Sequence, residues 1–210
     1  MSLSKKQYRD LLSEQERLNS IINPNWKNDR LFDDFVVAML VESAELIEHL
    51  GYKWWKHQEP NLKQAQMECV DIWFFYFSAL LLIEKDIETD IIHLSDYEVE
   101  EFSKNKTIYF TKSFMNTISS YDSINKEPLS LNLLFCVTQW LGMSTEDLYD
   151  MYMGKLVLNI FRQTHGYADG SYKKIWNGLE DNEVLHKIME DTKDPHQLEK
   201  MLEIHYADVK

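Results

Sequence analysis

Two pairs of carboxylates lie inside stretches of the sequence that are otherwise apolar. Glu42 and Glu45 belong to VESAELIEHL, and Glu68 and Asp71 belong to MECVDIWFF. Residues three positions apart project from the same face of an α-helix, so each pair is expected to act together. A carboxylate in apolar surroundings has a large free-energy cost unless a positive charge compensates it. The two pairs therefore predict a bound cation.

The type of metal follows from the ligand atoms. Carboxylate oxygens favour Mg²⁺, with Mn²⁺ as an alternative, over zinc or iron. Di-iron helical bundles use Glu-x-x-His pairs, and neither Glu45 nor Asp71 is followed by a histidine at that spacing. Two facing acid pairs indicate two or more ions. The alternative is that all four acids form salt bridges or lie on solvated faces.

A group of basic residues occurs late in the chain. Lys155, Asn159 and Arg162 share one stripe of a predicted helix, and Lys173 and Lys174 follow in the next segment. The formal net charge of the chain is −13, so this group is a local reversal of sign. Cations beside a metal–carboxylate cluster suit a polyphosphate ligand. The alternative is a solvated cationic helix face.

Two features suit a nucleobase. Gln15 and Asn19 stand four residues apart, and their amides both donate and accept hydrogen bonds, as the edge of a base requires. Trp54 and Trp55 follow the second predicted helix, where an indole ring could stack on a base. The alternative for the tryptophans is ordinary packing.

Composition limits the classes of protein. Among 210 residues, 44% are hydrophobic and only 6 are Gly and 4 Pro, which favours long helices in one globular domain. The net negative charge disfavours nucleic acid as a partner. The apolar run 72–83 is too short to span a bilayer, and the chain opens on a polar segment, so no membrane partner is expected and a cytoplasmic location is predicted. Cys69 and Cys136 are expected to be buried, reduced thiols.

The helical pattern predicts an all-α, multi-helix bundle forming a single domain over residues 1–210. Ser4 is the predicted N-cap of the first helix, and Ser144 begins a capping box. Residues 86–106 are expected to form a surface connection with short helix, and 166–178 an ordered loop. The predicted helices cover about residues 5–22, 29–50, 60–85, 107–120, 129–141, 145–164, 180–190 and 195–207.

The chain resembles the all-α dimeric dUTPase family, within the superfamily of helical nucleoside triphosphate pyrophosphatases. The resemblance lies in LNSIINPNW (18–26), ESAELIEHLGYKWWK (42–56), ECVDIWFF (68–75) and GKLVLNIFRQTHGYADGSYKKIWNGLEDNEVL (154–185). It implies a bundle with a central four-helix core, a homodimer, and Mg²⁺-dependent hydrolysis of dUTP, and usually dUDP, to dUMP.

The resemblance also implies roles for particular residues. Glu42, Glu45, Glu68 and Asp71 become the metal ligands, and Glu45 the base that accepts a proton from the attacking water. Gln15, Asn19 and Trp54 would form the uracil pocket. The phosphate and sugar contacts would be Lys155, Asn159, Arg162, Tyr167, Lys174 and Asn182. Alternatives are a hydrolase of the same superfamily acting on dCTP or a non-canonical nucleotide, or a helical interaction module without enzymatic activity.

Overall fold

The computed structural model describes residues 3–84, 101–120 and 131–209. These residues form helices, loops and one small hairpin, which confirms the prediction of an all-α fold. The strands β1 (Ile175–Trp176) and β2 (Leu179–Glu180) pair antiparallel. The helices are α1 (Lys5–Ile22), α2 (Trp26–Asp29), α3 (Phe32–His49), α4 (Leu62–Leu82), α5 (Lys104–Ser119), α6 (Leu131–Trp140), α7 (Thr145–Thr164), α8 (Asp181–Asp191) and α9 (Pro195–Ala207).

Both predicted N-caps are present. The hydroxyl of Ser4 accepts a hydrogen bond from the backbone N–H of Gln7, and the Gln7 side chain accepts one from the backbone of Ser4. Ser144 and Asp147 make the same reciprocal pair at the start of α7. Each arrangement satisfies two backbone donors that a helix start leaves unpaired, so these boundaries follow from local sequence.

Helix α4 lies at the centre of the molecule and packs against α1, α3 and α7. It is apolar nearly all round, and two thirds of its side chains are buried, as expected for a core helix. By length and composition alone α4 could cross a membrane, but 72% of its apolar 18-residue stretch is buried inside the protein. The four packed helices carry most of the polar residues considered below.

Several predicted boundaries were wrong. The helix expected at 29–50 begins at Phe32 as α3, because Arg30 and Leu31 are extended, and the short helix α2 before it was not predicted. Helix α4 begins at Leu62 rather than Pro60, since Asn61 caps it by accepting from the backbone of Gln64. Helix α5 begins three residues earlier than expected, at Lys104. The predictions for residues 85–100, including the expected end of the third helix, and for 129–130 lie outside the described residues. Cys69 is buried as predicted, whereas Cys136 is only partly buried.

The segment 166–178 is a loop that ends in the hairpin. Asn177 and Gly178 have φ values of 50° and 86°, the left-handed conformation that a two-residue turn between β1 and β2 requires. The turn leads directly into α8, and the backbone N–H of Asp181 donates to the carbonyl of Lys174 at 2.9 Å. The hairpin therefore places the first residues of α8 beside the end of α7.

Candidate active site

The acid pairs of α3 and α4 face each other. Carboxylate oxygens of Glu42, Glu68 and Asp71 lie within 4.8 Å of one another, the one such cluster among the described residues. Glu68 is buried, while Glu42 and Asp71 are partly buried. Glu45 lies outside this cluster and is exposed, but it lines the same cavity. The structure thus brings three of the four predicted ligands into contact distance and the fourth to their edge.

The cluster is electrostatically unfavourable by itself. Burial, followed by the charge of Asp71, raises the pKa of Glu42 to about 7. The same two causes raise the pKa of Glu68 to about 8. His49 Nε2 lies 3.4 Å from Glu68 Oε1, at the edge of the cluster. An all-oxygen cluster whose members repel one another fits a hard divalent cation, which would remove the repulsion.

Lys155 is bound to the acid cluster rather than free. Its Nζ donates to Asp71 Oδ2 at 2.7 Å and to Asn182 Oδ1 at 2.9 Å, and the residue is 1% exposed. The bonds join α7 to α4 and to the start of α8. Lys155 therefore compensates one carboxylate of the cluster, in addition to any contact with a ligand.

Arg162 is also held by an acid, which the sequence did not point to. Its Nε and Nη2 donate to the two oxygens of Asp181, both at 2.8 Å, and Asp181 is completely buried. Nη1 donates to Asn159 Oδ1 at 3.0 Å, and Nη2 also reaches Asn182 Oδ1 at 3.3 Å. Burial alone would raise the pKa of Asp181, but the bonds from Arg162 outweigh it and lower that pKa. The guanidinium is therefore a fixed charge, and within the described ranges one of its N–H groups has no hydrogen-bond acceptor.

Two adjoining cavities meet at these residues. The first, of about 380 Å³, reaches from Gln15 and Asn19 to the acid cluster. The second, of about 460 Å³, contains the acid cluster, Lys155, Lys174 and Asn182. They share Glu42, Asp71, Arg162 and Tyr167. A ligand with an aromatic end and an anionic end could therefore occupy both.

The inner end of the first cavity is a buried polar network. Gln15 Nε2 donates to Asn19 Oδ1 and to Ser78 Oγ, both at 2.9 Å. Asn19 Nδ2 donates to the same Oγ at 3.0 Å. The hydroxyl of Tyr152, from α7, donates to Gln15 Oε1. The predicted Gln15 and Asn19 thus lie together, while Ser78 and Tyr152, which come from α4 and α7, were missed because no spacing in the sequence relates them to α1.

The aromatic walls of the first cavity differ from the prediction. Trp26, Phe35 and Phe74 line it, and Trp26 is only 4% exposed. Trp54 is 90% exposed, lines neither cavity, and packs edge-on against Trp55. A base contact by Trp54 remains a prediction that these two cavities do not support. The only sequence signal for Trp26 was its place in LNSIINPNW.

The remaining predicted contacts lie at the cavity walls. Asn159 lines the first cavity, Asn182 lines the second, and Tyr167 lines both. The Cζ of Arg162 is 5.8 Å from the centre of the Tyr167 ring. Lys174 is about half exposed, with its Nζ 4.0 Å from Glu180, so it is the least constrained of the three cations around the second cavity.

Comparison with known protein families gives one result that bears on this geometry. A family model described as dUTPase matches residues 7–167, whereas no curated protein matches the chain. The matched region contains the acid cluster, the Gln15 and Asn19 network, Lys155 and Arg162, and ends before Lys174. The chain belongs to the dUTPase family and is a dUTP diphosphatase, a hydrolase.

Proposed function

We propose that this enzyme hydrolyses dUTP, and also dUDP, to dUMP in a reaction that depends on a divalent cation. The observation that carries the proposal is the cluster of Glu42, Glu68 and Asp71 at the junction of the two cavities. A nucleotide with its base at Gln15 and Asn19 would extend its phosphates toward this cluster. The same cluster could bind the divalent cation that would neutralise part of the phosphate charge.

The residues present fit Mg²⁺, with Mn²⁺ as the alternative. Glu42, Glu68 and Asp71 supply clustered oxygens, and Glu45 supplies a further carboxylate at the edge, enough for two or more ions. Once bound, the metal would withdraw charge from phosphate oxygens and make water a stronger nucleophile. The requirement for metal follows from the repulsion among the buried carboxylates.

Glu45 is the proposed base. It lines the second cavity but is exposed, outside the mutually repelling cluster, so its carboxylate has room to orient a water and accept its proton. Attack falls on the β-phosphorus, in line with the oxygen that leaves with dUMP. Lys155 and Arg162 stabilise developing charge as fixed cations, and Lys174 approaches the phosphates more freely. No covalent intermediate with the enzyme forms.

The remaining contacts follow the cavity walls. Asn159 and Tyr167 lie where the sugar would pass between the cavities, and Asn182, which holds Lys155 and Arg162, lies at the phosphate end. The chain is proposed to form one domain over residues 1–210 and to act in the cytoplasm as a homodimer. Exposed apolar side chains at Leu31, just before α3, and at Val37 and Val41 on α3 support contact between two copies.

The alternative functions make different predictions about substrate and metal. A hydrolase for dCTP would have the same acid cluster, but its base end would need the opposite hydrogen-bonding polarity. A helical module without activity predicts no heat on addition of Mg²⁺ and no pyrophosphate release. The buried, mutually repelling carboxylates argue against that module, because it would retain their cost without benefit.

Product analysis with dUTP, dUDP, dCTP and dTTP, with and without Mg²⁺, tests the proposal. We expect dUMP from the two uracil nucleotides in the presence of Mg²⁺. Glu45→Gln should lower kcat by at least about a hundredfold, the usual contribution of a positioned base. Glu48→Gln is a matched control, since Glu48 lies on the same helix but pairs with Lys53 outside both cavities. Equal rates for the two variants would remove Glu45 from the mechanism.

A further inference from the structure

The cations around the second cavity are held in place in different ways. Lys155 and Arg162 donate hydrogen bonds to carboxylates of the site. The Nζ of Lys174 instead lies 4.0 Å from Glu180 Oε2, which is too far for a hydrogen bond, and its side chain is about half exposed. The position of the Lys174 ammonium therefore depends mainly on where its backbone lies.

The backbone around Lys174 is fixed by hydrogen bonds from three other residues. The preceding residue, Lys173, donates its N–H to the hydroxyl of Tyr206 at 3.2 Å, and its carbonyl accepts from Trp176 Nε1 at 2.7 Å. The carbonyl of Lys174 accepts from the backbone N–H of Asp181 at 2.9 Å. Trp176 and Asp181 are near neighbours in the sequence, whereas Tyr206 comes from α9, 33 positions after Lys173. Tyr206 is therefore a long-range anchor of this segment.

The ring of Tyr206 lies at the centre of an aromatic cluster. It stacks on Tyr172 with the ring centroids 5.3 Å apart and the planes at 14°, and it lies 5.3 Å from Trp176. Toward the end of α7 it contacts Phe161 and His165 edge-on, with centroids at 5.4 and 5.2 Å. Ring pairs at these distances attract one another beyond the effect of burial. Tyr206 thus joins the loop and hairpin to the end of α7.

The rest of α9 is docked by other side chains. Leu198 and Leu202, in earlier turns of α9, are 1% and 0% exposed, whereas Tyr206 lies in the last turn and is partly exposed. The helix packs against both α7 and α8. Replacement of Tyr206 is therefore expected to leave α9 in place and to release the loop.

We infer that Tyr206 is a positioning residue that holds the segment 172–176, so that Lys174 projects into the second cavity. The inference rests on the proposed function, because that function assigns Lys174 to the phosphates. Tyr206 lines neither cavity, so it acts only through the loop. Arg162 depends less on Tyr206, because its two hydrogen bonds to Asp181 are made directly.

The test is a double-mutant cycle on kcat/KM for dUTP in Mg²⁺, with Tyr206→Leu, Lys174→Met and the double variant. Tyr206→Leu should lower kcat/KM roughly tenfold in the wild type but less than about threefold in the Lys174→Met background, because residues that act together are not additive. Tyr206→Phe keeps the stacked ring and should stay within about threefold of the wild type. Tyr109→Leu is the control, since it makes the same change at an exposed ring on α5 that lines neither cavity.

A second measurement does not depend on catalysis. Hydrogen exchange followed by mass spectrometry, without nucleotide, should become roughly tenfold faster over residues 172–176 in Tyr206→Leu and stay unchanged in α1. Melting monitored by circular dichroism identifies folded variants. If Tyr206→Leu does not fold, Tyr206→Met takes its place in both experiments, because a flexible thioether fills irregular gaps better.

The outcomes separate the inference from the function. If the Tyr206 variant lowers kcat/KM by the same factor with and without Lys174→Met, Tyr206 is merely structural and the inference is overturned. Unchanged hydrogen exchange over residues 172–176 also overturns it, although hydrolysis of dUTP stands. A wild type that releases no dUMP from dUTP in Mg²⁺ refutes the proposed function, and the inference with it.

Discussion

The contact between Arg162 and Asp181 offers a sharp test of how the site is held together. The change Asp181→Asn preserves the shape of the side chain but removes its charge. Asp181 is 0% exposed and the Arg162 side chain 11%, so the guanidinium would stay buried without its main counter-charge. The new NH₂ group would also face guanidinium N–H donors or the hydroxyl of Tyr172, which donates to Asp181 at 2.8 Å.

The expected loss of stability in Asp181→Asn follows from the burial of this ion pair. Removing one partner of a buried ion pair destabilises a protein by about 3–5 kcal/mol. For a chain of this size, that corresponds to a fall in Tm of roughly 6–20 °C. The matched control is Glu190→Gln, because Glu190 pairs with Lys63 at the surface and both side chains are about 60% exposed. Such a pair contributes less than about 1 kcal/mol.

Urea unfolding of the wild type and both variants at neutral pH measures these differences. The dependence on pH provides a second readout. The pKa of Asp181 lies below its ordinary value of 3.8, so its contribution is complete above that value and is lost as pH falls through the folded-state pKa. The difference in free energy of unfolding between the wild type and Asp181→Asn should therefore become smaller only at acidic pH. If Asp181→Asn lowers the free energy of unfolding at neutral pH by no more than Glu190→Gln does, the reasoning is refuted.

Two further predictions concern the metal and the exposed indole. Mg²⁺ at roughly a hundred times its Kd should stabilise the folded protein by about 2.7 kcal/mol, and Glu68→Gln should remove most of that gain without destabilising the metal-free protein. Calorimetric melting in EDTA and in Mg²⁺ measures both effects. A wild-type Tm that is the same in EDTA and in Mg²⁺ would count against the cluster as a metal site. Trp54→Ala should change the free energy of unfolding by less than about 0.5 kcal/mol, because Trp54 is 90% exposed. The KM of the Trp54→Ala variant for dUTP then tests the role of the indole. A roughly tenfold rise over the wild type supports the predicted base contact, and an unchanged KM contradicts it.

The sequence predicted those parts of the site that depend on local periodicity. Glu42 and Glu45 project together because three residues make most of a helical turn, and the same holds for Glu68 and Asp71. Ser4 and Ser144 begin helices because their side chains reach a backbone N–H three residues later. These relations span a few residues and do not require knowledge of the tertiary fold.

Contacts between distant residues could not be predicted in this way. The bond from Lys155 to Asp71 joins residues 84 positions apart, and the bonds from Arg162 to Asp181 join residues 19 positions apart. Each depends on how α7 packs against α4 or α8. The prediction about Trp54 lacked support for the same reason, since adjacent tryptophans give no sign of whether the loop turns toward a cavity. The break at Leu31 contains neither proline nor glycine, so no local signal marked it.

The charges around the second cavity support the proposed need for divalent cations. Six carboxylates line this cavity against three lysine or arginine side chains: Glu42, Glu45, Glu68, Asp71, Glu180 and Glu183 against Lys155, Arg162 and Lys174. Lys155 and Arg162 already pair with Asp71 and Asp181, and Lys174 lies 4.0 Å from Glu180. A triphosphate entering such a cavity would be repelled. The lysines and the arginine therefore order the site, and under the proposed function the charge that offsets the phosphates would come from the divalent cations that the same carboxylates are suited to hold.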